Sequence, residues 1–354
     1  MSASPAAEAP PLLARRPRFR MQELGLLVVI LLLYLALTAA GFAYRTPNSF
    51  NAFLNLDNQF NGIGTSMSIY AIMAVGMTAV VITGGIDISV GAIFGFAALA
   101  AASVLQHLPA DSPWYIALPV AFAVPTLVGG LLGLLNGALI VGLRMHPFIV
   151  TLGTLSIIRG LCVLWFPSTV PTADLQLPNA FVNVMAYNFG AHLRLVPVIV
   201  MLIVGLFGAL YLHALVAGRE TYAIGGNIEA ARFSGIRVGC ATLRVYVLMG
   251  LCAGVAAVVH LGRFNSTSTN DGSGYELLVI ASAVVGGASL TGGRGTALGA
   301  LLGTLIISLI DNGILILHWR TENTKVIVGA SIIIAVAIDR FSDYLVRRRT
   351  KRTH

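Results

Sequence analysis

The polar groups best placed to do chemistry lie in two glycine-rich segments of a largely apolar chain. The first reads TGGIDISVG over residues 83–91, and the second reads GGASLTGGRGT over residues 286–296. Asp87 and Ser89 have side chains that accept hydrogen bonds from the free N–H groups at a helix start, so we predict that they cap the next helix. Irregular backbone at membrane depth survives only where protein or a wet cavity satisfies it. Each segment is therefore either a turn before a capped helix or part of a solute path or gate. The gate candidates of the first segment are Thr83, Gly84, Gly85, Asp87, Ser89 and Gly91.

Polar side chains inside apolar stretches form a second group of candidates, because they are costly in lipid and often face a cavity. Arg159 and Asp311 are the most costly to bury, so we expect them to pair with each other or to mark a vestibule. A threonine hydroxyl can instead bond to the backbone of its own helix. The candidates for a translocation path are Asn136, Thr151, Thr154, Arg159, Asp311 and Asn312, together with His260.

A third departure from the apolar pattern is the stretch 218–240, which we interpret as a cytoplasmic loop that contains one short helix. Asn227 has the side chain of an N-cap, Glu229 lies in the first turn where the helix dipole favours an acid, and Gly235 would end the helix. A helix this short is marginal alone and needs a partner surface. It therefore indicates a contact for a soluble protein, built from Asn227, Glu229, Ala230, Ala231, Gly235 and Ile236.

Several kinds of chemistry find no support in the sequence. Lys325 and Lys351 are the only lysines, and no GxxxxGK[ST] string is present, so a P-loop for nucleotides is not expected. No HExxH or GxSxG string occurs. The three cysteines show no CxxC spacing, which argues against a metal site and a disulfide framework. We therefore expect this chain to be no enzyme and to bind no cofactor.

The elements that must position these residues are membrane-spanning helices. Hydrophobic residues make up 57% of the 354 residues and charged residues only 10%, whereas soluble domains carry about 25% charged residues. A water-soluble fold cannot hide this much apolar surface. A span needs about 20 apolar residues, and Pro119 and Pro125 predict a tilt or kink in one of them. The ten candidate spans are 23–43, 64–83, 88–106, 114–142, 147–166, 195–217, 241–262, 277–290 (short and interrupted by glycine), 296–317 and 326–343.

The placement of Lys and Arg predicts that both termini are cytoplasmic. With ten spans and the N-terminus inside, the five outside residues are Arg45, Arg194, Arg263, Arg320 and Lys325, and Arg159 lies within a span. The sixteen inside residues are Arg15, Arg16, Arg18, Arg20, Arg144, Arg219, Arg232, Arg237, Arg244, Arg294, Arg340, Arg347, Arg348, Arg349, Lys351 and Arg352. This placement fits membrane topology, so the net charge of +8 does not indicate nucleic-acid binding. We expect a disordered basic tail at 1–20, a transmembrane domain at 21–345 and a second basic tail at 346–354.

Glycines recur at four-residue steps inside the predicted spans. Such steps place small residues on one helix face, so that two helix backbones can approach closely. We predict tight helix packing at Gly91/Gly95, Gly129/Gly133/Gly137, Gly250/Gly254 and Gly295/Gly299/Gly303.

With these residues in view, the chain resembles the permease subunits of bacterial sugar ABC importers of the ribose, xylose and galactose type. The most specific likeness is TGGIDISVGA at 83–92, and the loop from Gly225 to Ile236 is similar to the EAA loop of that family. The resemblance implies an all-α membrane protein of about ten transmembrane helices, with both termini cytoplasmic and a short cytoplasmic coupling helix between helices 6 and 7. Three further stretches carry the likeness: NGALI at 136–140, HPFIVTLGTLSIIRG at 146–160 and GGASLTGGRGT at 286–296.

The resemblance also implies partners and a mechanism. Two permease subunits, identical or related, would form the pore in the lipid of a bacterial inner membrane. Two cytoplasmic ATP-binding subunits, which hold ATP and magnesium, would supply the energy, and a periplasmic sugar-binding protein would deliver the solute. The loop around Glu229 and Gly235 would be the coupling helix that contacts the ATP-binding subunit. The family leaves open which sugar or related solute is carried.

Two other transport functions also fit a chain with many spans. An ion-coupled secondary transporter usually needs an intramembrane carboxylate as its coupling site. Asp87 lies at a predicted helix cap and Asp311 near the outer half of a span, so neither is well placed for that role. A passive channel is the third alternative. Copurification of an ATPase, or loss of uptake when ATP is depleted, would distinguish the importer from both.

Overall fold

The computed structural model describes residues 21–43, 53–166, 176–189, 193–320, 323–331, 333–334 and 337. Over this part of the chain the protein is mainly helical, and its two strands form a small antiparallel sheet. The predicted tails at 1–20 and 346–354 lie outside the described residues. The elements are α1 (Met21–Ala43), a π-helix (Asn58–Gly64) that continues as α2 (Thr65–Ile82), α3 (Val90–Leu105), α4 (Trp114–Leu143), α5 (Pro147–Trp165), α6 (Asn179–Met185), β1 (Asn188–Phe189), β2 (Leu193–Arg194), α7 (Val196–His213), α8 (Val216–Gly226), α9 (Ile228–Phe233), α10 (Val238–Phe264), α11 (Tyr275–Val285) and α12 (Ala297–Ile316).

Seven of these helices are long and apolar enough to cross a membrane, which identifies a multi-pass membrane protein. They are α1, α2 with its π-helical start, α4, α5, α7, α10 and α12. Two more apolar helices, α3 and α11, are shorter, with 16 and 11 residues. Nine of the ten predicted spans therefore coincide with a helix. The tenth, at 326–343, begins within the helical residues 323–331 and continues beyond the described part of the chain.

Helices α2 and α10 form the centre of the molecule, and α4 packs lengthwise against α10. A Cβ atom on Gly129 would collide with the carbonyl oxygen of Gly250, and a Cβ atom on Gly133 would collide with that of Tyr246. Contact this close between two backbones requires glycine at these positions, since any side chain would push the helices apart. The predicted packing role of these glycine steps is confirmed. Both Pro119 and Pro125 lie inside the continuous helix α4.

The eighth predicted span, 277–290, extends beyond the end of the helix found there, α11. Helix α11 has 11 residues, so it is about 17 Å long, whereas a bilayer core is about 30 Å thick. The preceding residues, 265–274, lie between two predicted spans, and they fold against α3. The carbonyl oxygens of Gly272 and Asp271 lie where Cβ atoms on Gly91 and Gly95 would be, so the missing side chains of α3 make room for this segment.

The stretch 218–240 contains more helix than we predicted. Residues 218–226 belong to α8, which begins only three residues after α7 ends, so the chain turns at 214–215 and continues as helix. Asn227 then separates α8 from the predicted short helix, which is present as α9. Hydropathy does not indicate α8, because the consecutive polar residues Arg219, Glu220 and Thr221 interrupt the apolar run in its first half. Arg244 of α10 forms an ion pair with Glu220, and this contact joins α8 to the central helix.

Candidate functional site

The first glycine-rich segment forms a tight turn between α2 and α3. The Thr83 hydroxyl donates to the carbonyl oxygen of Val80 over 2.7 Å, which satisfies the end of α2. Gly84 follows with a φ of +80°, a left-handed conformation that glycine adopts without steric cost. A Cβ atom on Gly85 would lie 2.9 Å from the Tyr246 hydroxyl oxygen, so this glycine allows α10 to approach the turn. The turn is thus packed against α10 at Gly85, while Gly84 is exposed.

The Asp87 carboxyl is fully buried within this turn. Its Oδ1 atom accepts from the Ser89 backbone N–H over 2.9 Å and from the Ser89 hydroxyl over 2.6 Å. Burial raises the pKa of the Asp87 carboxyl above its usual range, and the hydrogen bonds from Ser89 and Asn136 offset this only in part. Asp87 therefore has the predicted capping role, because its carboxyl accepts a hydrogen bond from the backbone N–H of Ser89, the N-cap residue of α3.

The predicted capping role of Ser89 is wrong, because its side chain makes no capping bond to α3. The hydroxyl donates to Asp87 and accepts instead from the Asn136 amide of α4 over 2.7 Å. The Ser89 side chain is therefore bonded to Asp87 and to Asn136, and not to the free N–H groups at the start of α3. This arrangement ties the turn to α4, which sequence spacing could not indicate.

Two more helices meet the turn at the carbonyl oxygen of Ile86. The Tyr246 hydroxyl of α10 donates to it over 3.1 Å, and the Thr151 hydroxyl of α5 approaches it at 3.5 Å. Thr151 also donates to its own helix at Pro147 over 2.9 Å, and Thr154 donates to Thr151 over 3.3 Å, as expected for a threonine that bonds to its own helix. We call the set formed by Ile86, Asp87, Ser89, Asn136 and Tyr246 the junction.

The second glycine-rich segment lies against the first, next to α8. The Gly293 N–H donates to the carbonyl oxygen of Ile82 over 2.8 Å, at the end of α2. The Tyr222 hydroxyl of α8 donates to the carbonyl oxygen of Gly295 over 2.7 Å. A Cβ atom on Gly225 would collide with the same Ile82 oxygen. Both glycine-rich segments therefore lie at the end of the molecule where α8 leads into α9.

Helix α9 has the caps that the sequence predicts. The Asn227 Oδ1 atom accepts from the backbone N–H groups of Glu229 and Ala230, each over 3.0 Å. Gly235 follows the helix with a φ of +81°. Ala231 is buried in a small apolar cluster with Ile224 and Ala241, against which Ile236 packs. One face of α9 is therefore fixed to α8 and α10 by local contacts.

The opposite face of α9 is open, and its most exposed residue is not among the predicted contact residues. Phe233 is 90% exposed, more than any other large hydrophobic residue in the described part of the chain. Glu229 and Arg232 form an ion pair at 3.2 Å with both side chains largely exposed. An exposed pair of this kind contributes little stability. The free face thus offers one aromatic ring and two charges to a partner.

Arg159 and Asp311 do not pair, contrary to one of the two roles that we expected. Arg159 donates to the carbonyl oxygen of Asp271 over 2.6 Å and contacts that of Thr269 at 3.4 Å. Asp311 accepts from the Thr324 hydroxyl over 3.0 Å. Backbone carbonyls of the folded-back segment 265–274 thus satisfy the guanidinium. A partner more than 100 positions away cannot be read from local spacing.

The Asp271 side chain holds the folded-back segment together. It accepts from Thr267 Oγ1 over 3.1 Å and from the Ser268 backbone N–H over 2.8 Å, and His260 Nε2 lies 3.0 Å from it. Burial acts to raise the pKa of Asp271, but the hydrogen bond and charge of His260 and the bonds from Ser268 outweigh it and lower the pKa to about 2. His260 therefore positions this segment.

The predicted path residues do not form one site. Asn136 and Thr151 lie at the junction, Thr154 lies one helical turn further along α5, and Arg159 contacts the folded-back segment. Asn312 of α12 is buried and exchanges hydrogen bonds with Asn58 of the π-helix at 3.0 and 3.1 Å. The remaining members, Asp311 and His260, have the partners described above.

A polar cavity that sequence reasoning missed lies at the other end of the protein from α9. Its volume is about 320 Å³. Arg263 lines it and donates to Ser66 Oγ over 2.6 Å. Both Arg194 and Arg263 were predicted only as outside charges, and the structure brings them to one cavity. The other lining residues are Asn61, Thr65, Met185, Asn188, Pro197 and Gly262.

Comparisons with known proteins point to one class of membrane component. Residues 60–336 match the protein family described as branched-chain amino acid transport system / permease component. The chain is similar to the D-allose transport system permease protein of Escherichia coli (strain K12), with 35% identity over 86% of this chain and 89% of the relative. It is 33% identical to the ribose import permease protein of the same strain, over 90% of this chain and 94% of the relative. The galactose/methyl galactoside import permease protein of that strain is also 33% identical, with 90% and 94% covered.

Proposed function

This chain belongs to the family of branched-chain amino acid transport system / permease components, and we propose that it is the permease subunit of an ATP-driven importer that carries a sugar across a bacterial inner membrane. The observation that supports the proposal is the similarity to permeases for D-allose, ribose and galactose over 86–90% of the chain. Two of these relatives are named import permease proteins, which favours an importer over an ion-coupled transporter. The chain itself is a non-catalytic membrane subunit, and ATP hydrolysis belongs to a partner.

We propose that α9 is the coupling helix that contacts the ATP-binding subunit. Its buried face and its Asn227 cap hold it to α8 and α10, so a force on α9 reaches the transmembrane helices. Its open face presents Phe233, Glu229 and Arg232. Because α8 contacts Ile82 at the end of α2 and Gly295 of the second glycine-rich segment, movement of α9 is passed to both. The protein would alternate between inward-open and outward-open states by this route.

The membrane topology in this proposal has ten spans with both termini cytoplasmic. The lysine and arginine distribution supports it, and so does the placement of both glycine-rich segments beside α8 and α9. A second permease subunit, identical or related, would complete the pore. A periplasmic sugar-binding protein would deliver the solute at the end that bears Arg194 and Arg263, where the cavity has two guanidinium groups available for polar contacts.

The experiment is an uptake assay in cells that lack the gene for this chain and in the same cells complemented with it. Radiolabelled ribose, D-allose, galactose and an uncharged amino acid are compared as solutes. We expect complementation to restore uptake of at least one sugar and not of the amino acid. If only the amino acid entered, the sugar assignment would be wrong while the permease assignment survived. If no solute entered, although the protein was present in the membrane, the importer assignment would fail.

A further inference from the structure

The Asp87 carboxyl is a buried acid whose described partners are all neutral. Its hydrogen bonds come from Ser89 and Asn136, and none of its partners among the described residues is a lysine, arginine or histidine. An ionised carboxylate in such a place has lost its water without gaining a cation, which is very costly. A neutral carboxyl avoids this cost, and buried acids respond in that way.

The hydrogen bonds at the junction are unequal in a way that identifies the protonated oxygen. Oδ1 accepts two bonds from Ser89, at 2.9 and 2.6 Å. Oδ2 has one contact, with Asn136 Nδ2 at 3.4 Å, which is long for a hydrogen bond. The Asn136 Oδ1 atom is buried as well and has no partner among the described residues. Two buried acceptor atoms, Asp87 Oδ2 and Asn136 Oδ1, therefore lack a short hydrogen bond from the described residues, and a proton on Oδ2 adds a donor to this cluster.

From this geometry we propose that the junction is a proton-binding site, in which Asp87 carries a proton on Oδ2 while the turn is closed. The bound proton keeps the carboxyl neutral, so that Ser89 and Asn136 can link the turn to α4 without a buried charge. The site binds a proton and no larger ligand. The inference does not depend on which solute the protein carries.

Each element packed against Asp87 presents a definite group to it. Helix α4 presents Asn136 and α5 presents Thr151, neither of which titrates. Helix α10 presents Tyr246, whose hydroxyl is occupied by the Ile86 carbonyl and whose negative charge, if formed, would oppose ionisation of Asp87. Helix α8 and the second glycine-rich segment contact the turn at Ile82 through backbone groups of Gly225 and Gly293. The N-terminus of α3 favours a negative charge, but its contact with Asp87 is the single Ser89 N–H, and no described group at this site is a cation.

Proton binding makes the stability of the closed turn depend on pH. The proton is held more tightly in the folded protein than in the unfolded chain, so this group contributes most below the pKa of an unfolded aspartate, about 4. Its contribution is lost progressively as the pH rises towards the raised pKa of the folded state. If the turn opens to water, Asp87 ionises and releases the proton, and alkaline conditions favour the open form.

The test compares the full-length wild-type protein with three variants, purified in lipid nanodiscs. Asp87→Asn places a neutral isostere in the site, Asp87→Ala removes the hydrogen-bonding group, and Asp111→Asn removes an exposed carboxylate as a control. Infrared spectra at neutral pH report the C=O stretch of a protonated carboxyl, and thermal unfolding from mildly acidic to mildly alkaline pH reports stability.

We expect the band of a protonated carboxyl in the wild type and in Asp111→Asn, and its loss in both Asp87 variants. Asp87→Asn should melt at or above the wild-type temperature, and its advantage should grow as the pH rises, whereas Asp87→Ala should melt lower. If Asp87→Ala does not fold, the band and the Asp87→Asn comparison still decide. The proposal is overturned if the wild type and Asp87→Asn have the same spectrum, or if Asp87→Asn melts far below the wild type at every pH.

Discussion

Replacement of Phe233 by alanine should weaken the contact between this permease and its ATP-binding subunit without changing the fold. The Phe233 side chain is 90% exposed, so its removal takes away almost no internal packing. If a partner buries the ring, the lost apolar burial is about 1.5–3 kcal/mol. Since about 1.4 kcal/mol corresponds to a tenfold change in affinity, the dissociation constant should rise about 10- to 100-fold.

The assay is a fluorescence titration of the labelled ATP-binding subunit onto the permease in nanodiscs. Phe207→Ala is the matched control, because Phe207 is also an exposed phenylalanine but lies on α7 within a membrane span. We expect wild-type affinity for the control and weakened binding for Phe233→Ala, with equal melting temperatures. Equal affinity for both variants would show that the open face of α9 does not contact the ATP-binding subunit.

Three further predictions concern local features of the structure. Asn227→Ala removes the cap that accepts from two N–H groups, so it should destabilise α9 by about 1 kcal/mol. Hydrogen exchange in α9 should then be faster, and unchanged exchange would contradict the capping role. Gly133→Ala forces α4 away from α10 and should cost about 1–3 kcal/mol, while Gly153→Ala, which has open space around its Cβ position, should leave the melting temperature unchanged; similar effects of the two would argue against backbone contact. Asp271 has its pKa lowered to about 2, so the wild-type protein should lose about 2 kcal/mol as the pH falls from about 4 to about 2. Asp271→Asn should lack that acid-dependent loss, and an equal loss in both would refute the assignment.

Local signals in the sequence predicted local structure well. Asn227, Gly235 and the glycine steps act within one or two helical turns, so their spacing alone indicated the caps of α9 and the helix faces that pack closely, but not that α4 packs on α10. Hydropathy also located nine helices, seven of them long enough to cross a membrane, because the free energy of burying apolar residues in lipid depends mainly on the length of the run.

Contacts between distant segments could not be predicted in the same way. Arg159 binds carbonyl oxygens that lie 110 and 112 positions later in the chain, and nothing in its own neighbourhood indicates them. Ser89 lost its capping role for the same reason, since the competing donor, Asn136, comes from another helix. The predicted span 277–290 runs past the end of α11 at Val285, because hydropathy measures apolar content and does not detect the left-handed Gly287, with a φ of +93°, that follows the helix.

Exposure gave information that the sequence did not contain. Phe233 belongs to a short amphipathic stretch in which a phenylalanine would ordinarily be buried, so only the structure shows that its ring is free. In contrast, Ala231 and Ile236, which we predicted to be contact residues, pack against neighbouring apolar residues of the protein. The predicted contact residues therefore divide into a supporting face and an open face.

Transport in proteoliposomes shows whether this chain moves a sugar inward at the expense of ATP. The permease is reconstituted with its ATP-binding subunits, and the labelled sugar is supplied with its binding protein at the face opposite α9. We predict that the sugar accumulates against its gradient only when ATP is present at the face that carries α9, and that vanadate stops accumulation. Accumulation driven by a proton or sodium gradient without ATP would contradict the proposed ATP-driven function.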